Sequence, residues 1–303
     1  MKAVDGLSFT VDKGEVLGFL GPNGAGKSTT MRMITGFIPP TEGSVIVGGF
    51  DVVEEPLRAK ALIGYLPENA PAYAEMSVKN FLSFVAELRG LRGQAKKAAV
   101  ERVIEMCFLG SVAHQSVDTL SKGYKHRTCF AQSIIHDPQV LIMDEPTEGL
   151  DPNQKHEVRT IIRRMGETKA IIFSTHILEE VEAVCSRAII IDRGRIVANG
   201  TPVELKQRSE QAGAVRVRFA NGDATIAEKL SRLELVERIV RPDEGESGLR
   251  VFPKNRAAAG ELARSIGDLA ARECWTLEEL HTEEGRLDDV FRNITLPDTR
   301  QTV

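Results

Sequence analysis

One stretch decides the fold of this 303-residue chain: Gly21-Pro22-Asn23-Gly24-Ala25-Gly26-Lys27-Ser28. It fits the pattern Gly, four residues, Gly, Lys, Ser/Thr, which is typical of phosphate-binding loops. Its glycines let the backbone wrap around an oxyanion with the N–H groups pointing inward. Lys27 can reach the terminal phosphates, and the Ser28 hydroxyl can ligand Mg²⁺. We expect a helix to begin at Ser28, with its positive end facing the phosphates; the alternative is an incidental glycine-rich turn.

The residues around this loop favour the phosphate-binding interpretation. Residues 15–20 predict a buried strand that leads into the loop, and residues 28–34 predict a helix that leads out of it. Residues 7–11 alternate and are followed by a turn signal, so we expect them to form a hairpin with residues 15–20. Further short strands are predicted at residues 44–47 and 62–66.

The composition is that of an ordinary globular protein, with 42% hydrophobic and 27% charged residues. The length allows a large core and two domains. The net charge of −4 gives no support for nucleic-acid binding, so no nucleic-acid partner is expected. No apolar run approaches the ~18 residues of a spanning helix, and the N-terminus has no signal-peptide core. Four scattered cysteines indicate reduced thiols in the cytosol rather than a zinc site or disulfides.

Two buried strands end in residues that can do chemistry. Residues 140–143 predict a central parallel strand, which is followed by Asp144 and Glu145. Residues 170–175 predict a second strand, which is followed by His176. Ligands of open α/β sheets bind at such carboxyl ends. The bland alternatives are a strand-end turn for the two carboxylates and a structural role for the histidine.

These residues suggest a division of labour in phosphoryl transfer, which depends mostly on positioning and charge. Ser28 and Asp144 would hold Mg²⁺, the carboxylate through water. Glu145 would orient or deprotonate the attacking water. His176 would contact the γ-phosphate or hold the water network.

Between and after these strands the periodicity is helical. Apolar residues at 3- and 4-residue spacing predict helices over 77–118. The basic residues between them indicate a solvated face, or a contact with an acidic partner or lipid head groups: Arg89, Arg92, Lys96 and Lys97. Ser121 is placed to cap a further helix. Residues 177–185 predict another helix, whose acidic residues should form a solvated face: Glu179, Glu180 and Glu182.

The composition changes near residue 207, where residues 206–213 have the character of a linker. We therefore place one domain at 1–207 and a second at 208–303. The sequence pattern of the second domain predicts the element order β-α-β-β-α-β, which is typical of a small ferredoxin-like domain. Nothing in it looks catalytic, and Trp275 is interpreted as a core residue.

The run Leu120-Ser121-Lys122-Gly123-Tyr124, upstream of the Asp-Glu strand, resembles the signature helix of ATP-binding cassette (ABC) ATPases. The resemblance covers residues 1 to about 205 and is greatest to subunits of type-2 exporters, including those linked to drug efflux and gliding motility. Their C-terminal extensions are similar to residues 208–303. It implies an α/β phosphate-loop NTPase fold with an antiparallel β subdomain, a helical subdomain inserted at about 69–136, and a C-terminal α+β, ferredoxin-like domain.

The resemblance also implies a mechanism. Two ATPase subunits would face each other head to tail, and ATP with Mg²⁺ on one phosphate loop would be closed over by the other signature. The implied catalytic residues are Glu145 as base, His176 as γ-phosphate sensor and Lys27. The implied nucleotide ligands are Gly21, Pro22, Asn23, Gly24, Ala25, Gly26, Lys27, Ser28, Thr29, Ser121, Gly123 and Asp151, the last coupling the two sites. The implied metal ligands are Ser28, Glu68 and Asp144.

The implied partners are a second ATPase subunit, expected to be a second copy of this chain, and an integral membrane permease. Glu68 falls where the family has its glutamine loop, which links the metal site to the permease. The helices at 77–118 would form part of the groove that grips a permease helix. The chain would thus be a Mg-dependent ATPase, cytoplasmic and peripheral on the inner face of the membrane, that powers export.

Three features depart from the family pattern. Lys122 and Tyr124 replace the Gly and Gln of the commonest signature, and Glu68 replaces Gln, which should alter metal coupling. Family members usually begin with one more strand and an aromatic residue that stacks on adenine, whereas this sequence begins at Met1. Because stacking is worth about 1–3 kcal/mol per base, we expect weaker nucleotide affinity or base selectivity. The alternative is that the native protein begins before this Met1.

Two other functions stay open. A soluble ABC ATPase acting on ribosomes or nucleic acid would often have two cassettes or a long coiled coil, and this chain has one cassette and no heptads. A non-catalytic nucleotide sensor is disfavoured by the intact Asp144 and Glu145. The single cassette, the lack of spanning segments and the C-terminal extension favour the exporter subunit.

Overall fold

The computed structural model describes residues 2–68, 72–220, 224–241 and 248–295, and the chain divides into two units, residues 1–202 and 203–303. The strands and α-helices of the first unit are, in chain order, β1 (Val16–Leu20), α1 (Lys27–Ile34), β2 (Ile46–Val47), β3 (Phe50–Asp51), α2 (Pro56–Leu62), β4 (Ile63–Leu66), α3 (Val78–Leu88), α4 (Gly93–Met106), α5 (Lys122–Ile134), β5 (Val140–Asp144), α6 (Pro152–Gly166), β6 (Ala170–Thr175), α7 (Leu178–Val184), β7 (Arg187–Asp192) and β8 (Arg195–Gly200). The short helix α8 (Pro202–Lys206) begins at the last residue of this unit and continues into the second.

The main sheet has six strands in the order β4-β5-β6-β1-β7-β8. All neighbouring pairs are parallel except β7 and β8, which are consecutive in the chain and pair antiparallel. Every residue of β1 is buried, because the strand lies between β6 and β7 and is covered on both faces. The phosphate loop therefore leaves the middle of the sheet.

The predicted hairpin between residues 7–11 and residues 15–20 is wrong. Residues 7–11 form no strand. Both edges of β1 are already paired, with β6 and β7, so no backbone donors or acceptors are free for a preceding strand. The alternating apolar side chains are instead used in packing, and the ring of Phe9 lies 5.5 Å from that of Phe19.

The helix after the phosphate loop begins one residue earlier than predicted, at Lys27. Gly26 precedes it with φ +106°, and a Cβ at this position would lie 2.5 Å from the carbonyl oxygen of Ala3. Only glycine satisfies both constraints. The glycine that precedes Lys27 in the pattern is therefore required by the backbone conformation and by the packing against Ala3, as well as by phosphate binding.

The sheet separates two apolar cores, because alternate residues of its buried strands face opposite sides. Ile171 and Phe173 of β6 pack in the core that also contains residues of α3, α4, α5 and α6. Ile172, between them, packs in the core formed with α1, α2 and the β2–β3 hairpin. The helix α2 was not predicted, whereas α3 and α4 occupy the predicted helical stretch.

The helical segment α3–α5 is inserted between the adjacent parallel strands β4 and β5. The predicted start of this subdomain, residue 69, lies outside the described residues. No helix in the described ranges has the length and apolar character that crossing a bilayer requires.

The elements of the second unit are β9 (Val215–Phe219), α9 (Ala224–Ser231), β10 (Val236–Val240), β11 (Leu249–Pro253), α10 (Ala259–Arg272), β12 (Leu277–Thr282) and α11 (Leu287–Thr295). Its sheet is antiparallel, with the order β10-β11-β9-β12, as expected of the predicted β-α-β-β-α-β arrangement. Trp275 packs against its apolar core.

The predicted linker at 206–213 is folded structure rather than a free connection. The unit boundary falls after Pro202 instead of residue 207. Ser209 is fully buried and donates a hydrogen bond to Asp289 of α11, at 3.1 Å. Gly213 donates its backbone N–H to the carbonyl oxygen of Glu283, at 2.8 Å. These contacts make the polar segment part of the second unit.

The replacement Gly64→Ala tests the packing of α5 on the sheet. A Cβ at Gly64 in β4 would overlap the backbone carbonyl oxygen of Ser133 and lie 2.8 Å from Pro138. Since the backbone cannot move aside cheaply, we expect a loss of about 1–3 kcal/mol of unfolding free energy, measured by urea denaturation followed by circular dichroism. The control is Gly110→Ala, whose Cβ would meet no atom of the described chain within 4 Å. Equal stability of the two variants would contradict the overlap.

Candidate active site

The phosphate loop holds its own lysine in place. Lys27 is buried, and its Nζ donates hydrogen bonds to the carbonyl oxygens of Gly21 (2.7 Å) and Pro22 (3.3 Å). Burial lowers the pKa of Lys27, while the nearby carboxylates of Glu145, Asp144 and Glu68 act to raise it. The lysine therefore lies over the loop, within electrostatic reach of three of the four predicted acidic site residues.

The two carboxylates at the end of β5 are fixed by the neighbouring strand. Asp144 is buried and accepts a hydrogen bond from the Ser174 hydroxyl of β6. Glu145 has φ +51°, and its backbone N–H donates to the Ser174 carbonyl oxygen at 3.1 Å. This bend, in a region that non-glycine residues seldom adopt, carries the chain out of the strand at Glu145.

The Glu145 side chain is only 10% exposed, and its Oε1 lies 3.0 Å from Nδ1 of His176. Burial raises the pKa of Glu145, opposed by the hydrogen bond and charge of His176 and by the charge of Lys27. A carboxylate with a raised pKa accepts a proton more readily than an exposed one. The structure thus brings Lys27, Asp144, Glu145 and His176 together, as the sequence predicted.

The donor set at this position suits Mg²⁺ rather than a soft metal. Asp144 and the partly buried Ser28 offer hard oxygen atoms, and Mg²⁺ is held in proteins by one or two carboxylates, waters and substrate phosphates. Within the described ranges, no group of three or more His, Cys, Asp or Glu side chains could hold a metal ion. In sites of the Mg²⁺ type, the remaining ligands are waters and the phosphate oxygens of the substrate.

The other predicted nucleotide ligands form a second group. Ser121 caps α5, with Oγ accepting from the Tyr124 N–H at 3.5 Å. Asp151 caps α6 by accepting from the Gln154 N–H at 2.9 Å. Gly123 is buried against the Gln154 amide, which a Cβ would overlap. Gln154 thus joins the signature turn to the Asp151 turn, and no hydrogen bond in the described chain links Ser121 to the phosphate loop.

The nonconsensus signature residue Lys122 also contacts the loop before α6. Its side chain lies over Gly149, where the methylene Cε would be 2.7 Å from an added Cβ. Gly149 has φ +69°, a backbone conformation that favours glycine. The signature turn therefore contacts residues 149–154 twice, through Lys122 at Gly149 and through Gly123 at Gln154.

One residue that the sequence analysis assigned to solvent belongs to the site region. Glu179 and Glu182 are exposed as predicted, but Glu180 is only 1% exposed, so the prediction of a shared solvated face is wrong for it. Positions i and i+3 of a helix lie on one face, whereas i+1 is turned about 100° away. The spacing of the three glutamates could therefore have indicated that Glu180 does not share the exposed face of Glu179 and Glu182. Glu180 accepts hydrogen bonds from the hydroxyls of Thr147 and Thr175.

Comparison with known proteins identifies the family. A family model described as ABC transporter matches residues 4–148. The chain is 41% identical over 207 residues to the linearmycin resistance ATP-binding protein LnrL of Bacillus subtilis, a match that covers 68% of this chain and 66% of LnrL. It is 38% identical over 214 residues to the ABC transporter ATP-binding protein NatA of Bacillus subtilis, covering 69% of this chain and 87% of NatA.

A solved structure described as an ATP binding subunit of an ABC transporter superposes with a TM-score of 0.63 and 28% identity, over 68% of this chain and 86% of that one. The match to LnrL leaves about a third of each chain uncovered. These findings confirm the resemblance read from the signature and the predicted α/β phosphate-loop fold class. The chain belongs to the ABC transporter family and carries that family's ATP-binding domain.

Proposed function

We propose that this chain is the ATP-hydrolysing subunit of an ABC exporter, which powers transport through a separate membrane permease. The observation that carries the proposal is the nearly buried Glu145 carboxylate, which is hydrogen-bonded to His176 and feels the charge of Lys27 in the phosphate loop. That grouping supplies a base, a polar sensor and a cation at one place. The exporter assignment is supported by LnrL, which is named for resistance to linearmycin.

The phosphate loop binds and neutralises the triphosphate in this proposal. Residues 21–26 lead directly into the N-terminus of α1, whose free N–H groups and dipole favour an anion. Lys27 exchanges its carbonyl contacts within the loop for phosphate oxygens. The predicted ligands Asn23 and Gly24 are exposed at the tip of the loop, where a nucleotide can reach them.

Hydrolysis then uses the strand-end residues. A water oxygen attacks the γ-phosphorus, the bond from that phosphorus to the β,γ-bridging oxygen breaks, and the water proton passes to Glu145. ADP leaves with the bridging oxygen. His176 holds the Glu145 carboxylate through Nδ1, and because half of its side chain is exposed, its ring is free to contact the γ-phosphate. When bound, Mg²⁺ supplies charge neutralisation at the phosphates, with Ser28, Asp144 and Glu68 as its proposed holders.

A second subunit completes the nucleotide site in this proposal. Ser121 and Gly123 lie in a turn packed on residues 149–154 rather than on the phosphate loop of the same chain. A head-to-tail copy of the chain would bring its signature turn to the γ-phosphate. Asp151, which caps α6, would then couple the closing of one nucleotide site to the other site of the dimer.

The permease partner is assigned to a cleft of about 400 Å³ on the helical segment. Phe81, Phe84 and Val85 of α3 line it, and the exposed side chains of Tyr73 and Leu88 add apolar surface. An amphipathic helix would fit such a groove with its apolar face inward. The chain would then be held at the inner face of the membrane by its partner, on the cytoplasmic side.

The replacement Lys27→Ala tests the phosphate site. Loss of the cation that stabilises the transferred phosphoryl charge should lower Mg²⁺-dependent ATP turnover at least about 100-fold, measured by phosphate release. Lys13→Ala removes an exposed lysine outside the loop and serves as the matched control. Turnover that survives in the Lys27 variant would exclude this loop as the hydrolytic site.

The replacement Glu145→Gln tests the assigned base. It removes the proton acceptor but keeps the size of the side chain, so ATP should bind without being hydrolysed and hold two subunits together. We expect light scattering to show a dimer with ATP and a monomer with ADP. Monomeric behaviour of the variant in ATP would count against Glu145 as the base.

The same variant tests the cost of burying the base. Because burial raises the pKa of Glu145 in the folded chain, its contribution to stability is favourable below that pKa and is lost as the pH rises through it. Glu145→Gln should therefore raise the melting temperature of the nucleotide-free protein at pH 7.5. The gain should shrink when calorimetry is repeated near pH 5, and a gain independent of pH would point to another cause.

A further inference from the structure

We propose that Glu180 is a positioning residue for hydrolysis: its buried carboxylate ties the loop after Glu145 to the loop that carries His176, and so holds the base and its partner in register. The inference rests on the proposed function for its kinetic consequence. Its structural content concerns only residues of this chain.

The geometry uses both oxygens of one carboxylate. Oε1 of Glu180 accepts a hydrogen bond from the Thr147 hydroxyl, and Oε2 accepts one from the Thr175 hydroxyl at 3.2 Å. Thr147 follows Glu145 by two residues, and Thr175 immediately precedes His176. The Thr175 hydroxyl also accepts the Ile177 N–H at 3.1 Å, which fixes the turn into α7. One side chain therefore spans the two loops behind the reacting groups.

Stability alone is a weak explanation for a charge at this position. Glu180 is 1% exposed, and its nearest cation is Arg159 of α6, with Nη2 3.7 Å from Oε1. Removing a carboxylate from water costs several kcal/mol, which such a long ion pair offsets only in part, and apolar side chains of similar volume often replace buried ion pairs without loss. What an apolar residue cannot provide is a pair of strong, directional hydrogen bonds to two different loops.

The Glu180 bridge complements a second link between the ends of β5 and β6, which is made by Ser174. Ser174 binds both Asp144 and the backbone of Glu145 at the strand ends. Without Glu180, the hydroxyls of Thr147 and Thr175 would lose their acceptor, and the turn that follows Glu145 would lose its hydrogen bond to α7. A shift of about 1 Å in a catalytic group costs on the order of 100-fold in rate.

The test compares Glu180→Ala and Glu180→Gln with Glu179→Ala, which removes the exposed neighbour on the same helix. We expect Glu180→Ala to lower kcat by about 10- to 100-fold with the KM for ATP changed less than about 2-fold. Glu180→Gln should recover most of the loss, since its amide can accept from one threonine hydroxyl and donate to the other. Glu179→Ala should match the wild type.

A second readout does not depend on turnover. The ring NMR signals of His176, assigned by their loss in His176→Gln, should move in Glu180→Ala toward their positions in Glu145→Gln, because both changes weaken the contact between Glu145 and His176. They should stay in place in Glu179→Ala. An inactive wild type would contradict the proposed function, while these signals would still decide the role of Glu180.

Unmoved His176 signals in Glu180→Ala, or unchanged kcat, would overturn the proposal. An equal loss in Glu180→Gln, accompanied by a raised KM, would assign Glu180 to folding alone and would overturn it as well. If Glu180→Ala fails to fold, Thr147→Val removes one end of the bridge without emptying its space. It should then lower kcat and move the His176 signals in the same direction.

Discussion

The structure depends on the parallel pairing of β5, β6 and β1 and on the register of that pairing. Asp144 lies beside Ser174, and Ser174 and Thr175 lie beside Phe19 and Leu20 at the end of β1. Three adjacent strands thus end within a residue of one another. Since the chain leaves each strand at that edge, the phosphate loop, the two carboxylates and His176 meet there without any long-range adjustment. A shift of one strand by a single residue would reverse which face each side chain occupies.

The edge formed in this way concentrates buried charge. Lys27, Asp144 and Glu180 are all buried, and Glu145 is nearly so. Each has polar partners, so none is an isolated charge, but the burial of Glu145 still raises its pKa. Active sites commonly retain such groups at the expense of stability. The apolar cores on both faces of the sheet supply the stability that this edge does not.

The local structure that was predicted correctly around the candidate site is the part that depends on residues adjacent in the sequence. The phosphate loop is defined by a backbone that must curl within eight residues, and the strand ending in Asp144 by one continuous apolar run. The hairpin at residues 7–11 failed because alternation indicates a strand but not whether a partner edge is free. Residues 206–213 were taken for a linker because their polarity is local, while the burial of Ser209 depends on α11, which comes much later in the chain. Glu180 was missed for the same reason, since the groups that donate to its carboxylate or pair with it come from the turn after β5, the end of β6 and α6.

The position of β1 has a consequence for the synthesis of the chain. Val16, at the start of β1, donates its N–H to the Ser186 hydroxyl, 170 residues later in the sequence. At about 5–20 residues per second, the ribosome needs roughly 10–30 s to make the strands that flank β1. During that interval the apolar strand β1 has been made without its partner strands. The phosphate loop that follows it is therefore not yet held in the conformation that binds phosphate. The nascent chain therefore becomes able to bind nucleotide only after β6 and β7 have been made. Until then β1 is an unpaired apolar strand, the kind of segment that chaperones bind.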